Sequence, residues 1–238
     1  MSNIVKAKVT IRGTRTLLQH RFGPESIPLE KQERTGVAGN DPVEWKKTCM
    51  VTPDGCLYLP GTYIFGCLKN GAVHTKKGKG SIQALVVSTM QIEEDLLQLN
   101  RELPSEKELT QQTVLTPPDP EIKTFIYVSS VRNPSTKGRN VRYRLATRAG
   151  WKLSFTLVWD KTVVPREQMK AVLRDSGILG GLGDGIKIGC GRFEVTKYEE
   201  LTDAQEEATE GSMGGHEGNG VEEGRRKMRP VREVATAR

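Results

Sequence analysis

Histidine and cysteine are scarce, and both shortages narrow the field. The 238 residues hold three histidines and four cysteines. Cys49, Cys56, Cys67 and Cys190 stand apart, without a CxxC pair. That argues against a zinc knuckle or a disulfide framework. They read as reduced, buried thiols of a cytoplasmic protein. His20, His74 and His216 form no HExxH and no pair, and no GxSxG is present. The sequence signatures of zinc peptidases and serine hydrolases are therefore missing. Aromatic residues make up 5% of the chain, which leaves few stacking groups. No apolar run approaches the roughly 18 residues of a membrane span. In the opening MSNIVKAKVTIRG, charges interrupt every apolar stretch, so no signal peptide is expected.

Positive charge and glycine are what the chain has in excess. Lys and Arg number 36 against 29 Asp and Glu, a net charge of +7. The excess is uneven: residues 199–238 hold 10 acids and 6 bases, leaving 30 bases against 19 acids before them. A body this basic favours polyanionic partners. Residues 201–238 are polar, rich in Glu and Gly and almost free of aromatics. They lack the apolar area to offset chain entropy and are expected to be disordered. Residues 1–200 are expected to form the folded domain.

Within that domain, Lys6 and Lys8 alternate with Val5, Ala7, Val9 and Ile11, a strand with one buried face. Residues 19–55 show no clean period and carry many Gly and Pro, a long excursion of the kind that is usually functional. Cys56–Leu59 reads as a strand stopped by Pro60-Gly61. Thr62 is placed to cap a helix running to about His74. Residues 82–92 fit a strand or a short helix entering one. Lys123–Val131 reads as a strand and Arg166–Ser176 as a helix. Trp151–Trp159 and Arg192–Tyr198 complete the strands. Two strand-helix units around a mainly antiparallel sheet predict an α+β fold with an RRM- or ferredoxin-like split βαβ core.

Three segments stand out chemically. Gly180, Gly181, Gly183, Gly185, Gly189 and Gly191 lie within 12 residues. Such glycines let backbone approach a ligand and expose N–H groups to phosphate. Neither GxGxxG nor a GxxxxGK[ST] loop is present, and the run follows a helix rather than a strand, so NAD and NTP binding are unsupported. A tight connection and an RNA- or subunit-contacting loop both fit. Second, Pro60-Gly61-Thr62 opens a helix whose free N–H groups suit a phosphate. Gly66 inside that helix costs roughly 1 kcal/mol against Ala. A helix–sheet contact or close approach by a ribose would each explain it. Third, six bases lie between Arg132 and Arg148 with no acid among them. They flank the turn NPSTKGRN, and Val141, Tyr143 and Leu145 alternate with arginines. The pattern is a hairpin with one cationic face, either tracking phosphates or simply solvated. His20, Asp41 and Asp184 are isolated candidates for acid–base chemistry.

LYLPGTYIFGCLKNGA resembles the (I/L)-P-G-(S/T)-x-x-x-G-x-(L/R) segment of the RAMP superfamily of CRISPR effector proteins. GLGDGIKIGCGRFEV resembles that superfamily's C-terminal glycine-rich loop and last strand. The two occur in the expected order, covering about 30 residues in motif and most of residues 1–200 in layout. The chain most resembles the repeated backbone subunit of Csm/Cmr-type complexes, including relatives carried by phages and mobile elements. The resemblance implies an RRM-like core with long inserted loops and a thumb-like hairpin. It implies polymerisation head to tail along guide RNA to support target pairing. The implied partners are guide RNA, complementary target nucleic acid, further copies and other effector subunits, with no membrane, metal or cofactor. Processing members use a histidine near the first strand, where His20 lies. Target-cutting members use an aspartate in the following loop, where Asp41 lies. The alternatives are an RNA-cleaving subunit using Asp41 or His20, whose activity would be that of a metal-assisted endoribonuclease, or a mobile-element single-stranded DNA-binding protein.

The expected RNA contacts follow. Near the first strand they are Arg12, Arg15, His20 and Arg21. Around the capped helix they are Thr62, Lys69, Lys76, Lys77 and Lys79. The hairpin adds Lys137, Arg139, Arg142, Arg144 and Arg148, and the glycine run adds Gly183, Gly185 and Lys187. Sequence-blind binding needs such phosphate contacts and few base-reading groups.

Overall fold

A computed structural model describes residues 2–21, 41–113, 116–132 and 138–201. Most of the excursion, the turn at 133–137 with Lys137, and the tail from Thr202 onward lie outside the described residues, as does His216. In chain order the elements are β1 (Ile4–Gly13), β2 (Leu17–Leu18), α1 (Glu44–Thr48), β3 (Cys56–Pro60), α2 (Gly61–Gly71), β4 (Lys76–Lys77) and β5 (Gly80–Ser81). Then come α3 (Gln83–Thr89), β6 (Gln91–Ile92), β7 (Leu96–Glu102), β8 (Gln111–Thr113), β9 (Thr124–Arg132) and β10 (Arg139–Thr147). Last are β11 (Lys152–Asp160), α4 (Arg166–Asp175), a π-helical turn Ser176–Gly180, a 3₁₀ turn Ile186–Ile188 and β12 (Phe193–Glu200).

The main sheet runs β12-β1-β11-β6, with every neighbouring pair antiparallel. The alternation in β1 explains its place. Val5, Ala7, Val9 and Ile11 are buried beside Leu153, Phe155, Leu157 and Trp159 of β11. On that same core pack Ile64 and Leu68 of α2, Val86 of α3, and Met169, Val172 and Leu173 of α4. Trp151 and Trp159 are fully buried, with the Trp151 Nε1 donating to Arg15 O at 2.9 Å and the Trp159 Nε1 to Val164 O at 3.0 Å. Gly13 makes room for the first: a Cβ there would collide with the Trp151 ring.

A second sheet runs β2-β10-β9-β8. Its centre is the β9–β10 hairpin, in register from Arg139↔Arg132 to Thr147↔Thr124. β8 adds in parallel to β9, and β3 pairs separately with β7.

The structure corrects several sequence expectations. The helix after Pro60 begins at Gly61, not under a Thr62 cap, and no side chain caps it. Its start is fixed instead by the Gly61 amide, which donates to Asp95 O at 2.9 Å. A Cβ at Gly61 would collide with the Glu94 carbonyl, so glycine is needed there. The helix stops at Gly71, short of His74. Residues 82–92 are both things at once, α3 and then β6. The excursion contains α1, and β7 and β8 arise in a stretch where the sequence pattern gave no strand.

Candidate nucleic-acid interface

The two glycine-bearing motifs, more than 100 residues apart, pack against each other. Gly71 of α2 sits so close to Ser176 that a Cβ would collide with it. The Cys67 Sγ donates to Ser176 O at 3.9 Å, and Gly180 lies against the same sulfur. At the other end of α2, the Tyr63 Oη donates to the His20 carbonyl at 2.8 Å. The glycine run then folds over β2: the Asp184 amide donates to Leu18 O at 2.9 Å and the Gly191 amide to Thr16 O at 2.7 Å. Gly183 and Gly185 have φ of +72° and +70°, a region open to glycine and costly for other residues. A Cβ on Gly183 would also collide with Leu18 O. These glycines seat the loop on β2. Lys187 projects from it exposed.

Charged groups converge on this junction. Arg144 pairs with Asp184, Nε to Oδ2 at 2.6 Å, and its side chain is only 13% exposed. Both atoms are buried and meet without hydrogen-bond geometry. Arg142 pairs with Glu44 of α1, whose other oxygen accepts the Tyr143 amide at 3.2 Å. His20 lies within the field of all four groups. Burial is the main cause that pushes its pKa down; Asp184 and Glu44 oppose this, while Arg144 and Arg142 reinforce it. Its buried Nδ1 has no hydrogen-bond partner among the described residues. The neighbouring Cys190 thiol is pushed up by burial and by Asp184.

The structure thus brings His20, Arg142, Arg144, Gly183 and Gly185 together, with Thr62 exposed on the adjoining helix start. Arg21 follows, its amide donating to Thr48 O at 3.2 Å. Arg15 lies exposed along a cleft of about 710 Å³ that also includes Tyr127, Cys190 and Arg192. Arg139 is exposed toward the hairpin tip. Arg148 has another job: its guanidinium donates to the carbonyls of Ile122 at 3.0 Å and Asp119 at 2.7 Å, and to that of Pro117. It clasps the proline-rich turn. Lys69, Lys76, Lys77 and Lys79 form a separate, exposed group at the far end of α2 and in the β4–β5 hairpin. Lys69, the nearest of them, lies six residues along α2 from Tyr63, a rise of about 9 Å.

Arg12 lies on the open face of the main sheet, bonded to Glu194 at 2.8 Å. Beside it, Lys6 pairs with Glu93 at 2.8 Å and Lys8 with Glu94 at 2.8 Å. β1 and β11 present Ile, Lys, Thr, Arg, Ser, Val and Asp on this face and no aromatic ring. It offers no stacking surface of the kind an RNA-binding sheet uses. Asp41 is exposed and tied to Lys47 at 3.0 Å; that bond, and the Val43 amide, hold its pKa below the ordinary carboxylate value. Among the described residues, no three His, Cys, Asp or Glu side chains gather to hold a metal.

Sequence reasoning found the arginines and singled out Asp184 as an isolated carboxylate, but it found neither the pairing of Asp184 with Arg144 nor Glu44. Glu44 lies 98 residues from Arg142 and no local pattern links them. Tyr63 was readable in principle, being adjacent to Thr62 in the Pro-Gly-Thr segment.

No protein-family model matches the sequence, and no curated protein matches it significantly. Among solved structures, the chain is similar to one from a type III-B Cmr-beta complex bound to cognate target RNA. The TM-score is 0.45 at 11% identity, over 84% of this chain and 61% of that one, less than two thirds of its length. It is also similar to a chain of a type IV-B CRISPR complex, with a TM-score of 0.38 and 14% identity over 84% of this chain and 92% of that one. At these values the functional argument rests on the residues themselves.

Proposed function

We propose that this chain is a non-catalytic backbone subunit of a CRISPR-type ribonucleoprotein. It binds guide RNA without reading sequence and assembles head to tail along it to support target pairing. One observation carries the reading: the Pro-Gly-Thr helix start and the glycine loop, the two segments that resemble the RAMP superfamily, meet at His20 and the hairpin arginines. Lysine and arginine without a stacking surface suit contacts to phosphate. The ferredoxin-like reading is supported by the sheet order. β1 leads through α2 and α3 to β6, β11 leads through α4 to β12, and the last strand lies beside the first. Residues 1–200 are the RNA-binding domain in this proposal, and 201–238 an accessory tail. Further copies and other effector subunits are its protein partners, and the cytoplasm its place of work.

Gel shifts with guide-length RNA and matched single-stranded DNA, across salt, test the proposal. The expected result is tighter binding to RNA and a steep salt dependence. Preference for DNA would overturn it in favour of a single-stranded DNA-binding protein. Incubation with guide-paired target RNA and divalent metal tests the non-catalytic part. Cleavage lost in Asp41→Ala or His20→Ala would show a nuclease instead.

A further inference from the structure

We infer that the exposed face of α2 and the β4–β5 hairpin form one track for the phosphodiester backbone of a bound RNA strand, with Gly66 as the point of closest approach. This rests on the RNA reading and extends it: the strand leaves the junction at His20, follows α2 and reaches the lysines beyond its end.

The first observation is charge. From Gly55 to Ile92 the sequence holds no Asp or Glu, yet it contains Lys69, Lys76, Lys77 and Lys79. All four are exposed, and among the described residues none of them is ion-paired. The junction differs, because Arg142 and Arg144 each already hold a carboxylate. The hairpin that carries the lysines is a fixed platform. The buried Thr75 at its base donates its hydroxyl to Asp175 at 2.8 Å, the Ile82 amide donates to Thr75 O at 3.1 Å, and Gly78 turns the tip at φ +58°. Asp175 is engaged there within the fold: its side chain is 17% exposed and also meets Arg174 at 3.3 Å. Unpaired ammonium groups gathered on a fixed turn suit the regular charges of a nucleic-acid backbone.

The second observation is independent of charge. α2 buries Ile64, Cys67, Leu68 and Gly71, while Thr62, Gly66, Lys69 and Asn70 share the other face. Glycine inside a helix is destabilising. Gly61 and Gly71 have a packing reason, since a Cβ would collide with Glu94 or with Ser176. At Gly66 a Cβ would meet nothing within 4 Å among the described residues. A helix–sheet contact therefore does not explain it. The missing side chain leaves a notch on the open face, where a ribose or phosphate can come close to the helix backbone. From Thr62 to Asn70 the helix rises about 12 Å, the length of three to four phosphates at roughly 3.4 Å each. Near the start of α2, Glu94 is paired with Lys8 at 2.8 Å and Asp95 is exposed, so the track grows more basic toward the hairpin.

The probe is a fluorescein-labelled twelve-nucleotide oligouridylate, titrated with the full chain across salt and read by anisotropy. Lys77→Ala with Lys79→Ala should weaken binding about tenfold and lower the salt slope by about 1.4, or 0.7 for each phosphate of a single strand. Lys107→Ala with Lys152→Ala removes the same charge from exposed sites elsewhere and should leave the slope unchanged. Gly66→Leu should raise the urea midpoint, because it replaces a helix-interior glycine, and still weaken the RNA about tenfold. A glycine kept for the fold would give a lower midpoint instead. That lower midpoint, or wild-type RNA affinity in Gly66→Leu or in the Lys77 and Lys79 variant, would overturn the inference while leaving the RNA proposal standing. The lysines would then be solvated or held by the chain's own acidic tail. An equal loss of slope in the control pair would also overturn it, the effect being one of net charge. Failure of the wild type to bind the oligonucleotide would sink the RNA proposal and this inference with it.

Discussion

His20 shows how one side chain reports its surroundings. Its folded pKa is lowered, first by burial. The folded state therefore resists protonation that the unfolded chain accepts near pH 6.5. The sign follows: the His20 contribution is fully present above the unfolded value and is lost as pH falls through the folded one. Urea midpoints at pH 7.5 and 5.5 should show the wild type losing more stability on acidification than His20→Gln. An equal loss in both would mean that His20 is not the titrating group. The Arg144–Asp184 pair makes a second prediction, with two readouts of opposite sign. Asp184→Asn leaves a mostly buried guanidinium without its counter-charge, which should cost about 1–3 kcal/mol of stability. The same change frees Arg144 for phosphate and adds one net positive charge. RNA affinity should then rise while the urea midpoint falls. A fall in both would show Asp184 holding the loop in the shape RNA needs.

At the scale of elements, the hairpin arginines divide by partner. The sequence places six bases without an acid between Arg132 and Arg148, and the β9–β10 hairpin forms as that pattern predicts. Its alternation holds only in part: Tyr143 is buried between Arg142 and Arg144, but Leu145, Ala146 and Thr147 are buried in succession. What local sequence does not carry is the arrival of Glu44 and Asp184 from distant elements, or the use of Arg148 to clasp the Pro117–Asp119 turn. Those are tertiary facts, with no periodicity to announce them. They give a prediction about salt. Arg139 is exposed near the tip, and if it touches one phosphate, Arg139→Ala should reduce the slope of log affinity against log salt by roughly 1. Arg148→Ala should leave the slope unchanged and lower thermal stability, because three carbonyls lose their donor. The reverse pattern would assign the phosphate contact to Arg148 and dismiss the clasp.

Over the whole molecule, legibility followed local regularity. Period-two runs such as Val5–Ile11 and Trp151–Trp159 fix the central strands, because each buries a single face against helices whose stripes are just as regular. The short strands β6 and β8 have too few residues to show a period, and β7 gains its place by pairing with β3 across the sequence. The candidate site was legible as a set of residues and not as a geometry: the glycines that suggested phosphate binding serve first to seat the loop on Leu18. Charge balance remains a property of the entire chain, and it yields the last prediction. The final 40 residues hold 10 acids and 6 bases, whereas the preceding 198 hold 30 bases and 19 acids. Deleting residues 202–238 removes a net negative segment, so long-range attraction to RNA should be undiminished or slightly stronger at low salt. The run RRKMRPVR at 225–232 works in the other direction by adding non-specific attraction. With these effects opposed, affinity should shift by less than about tenfold, or roughly 1.4 kcal/mol. The salt slope should stay within about one unit of the full chain, because the phosphate contacts belong to the body. Titrations of both forms with one short RNA at low and moderate salt measure affinity and slope together. A larger loss with a reduced slope would place 225–232 directly on the phosphates, and the tail would then be part of the binding surface.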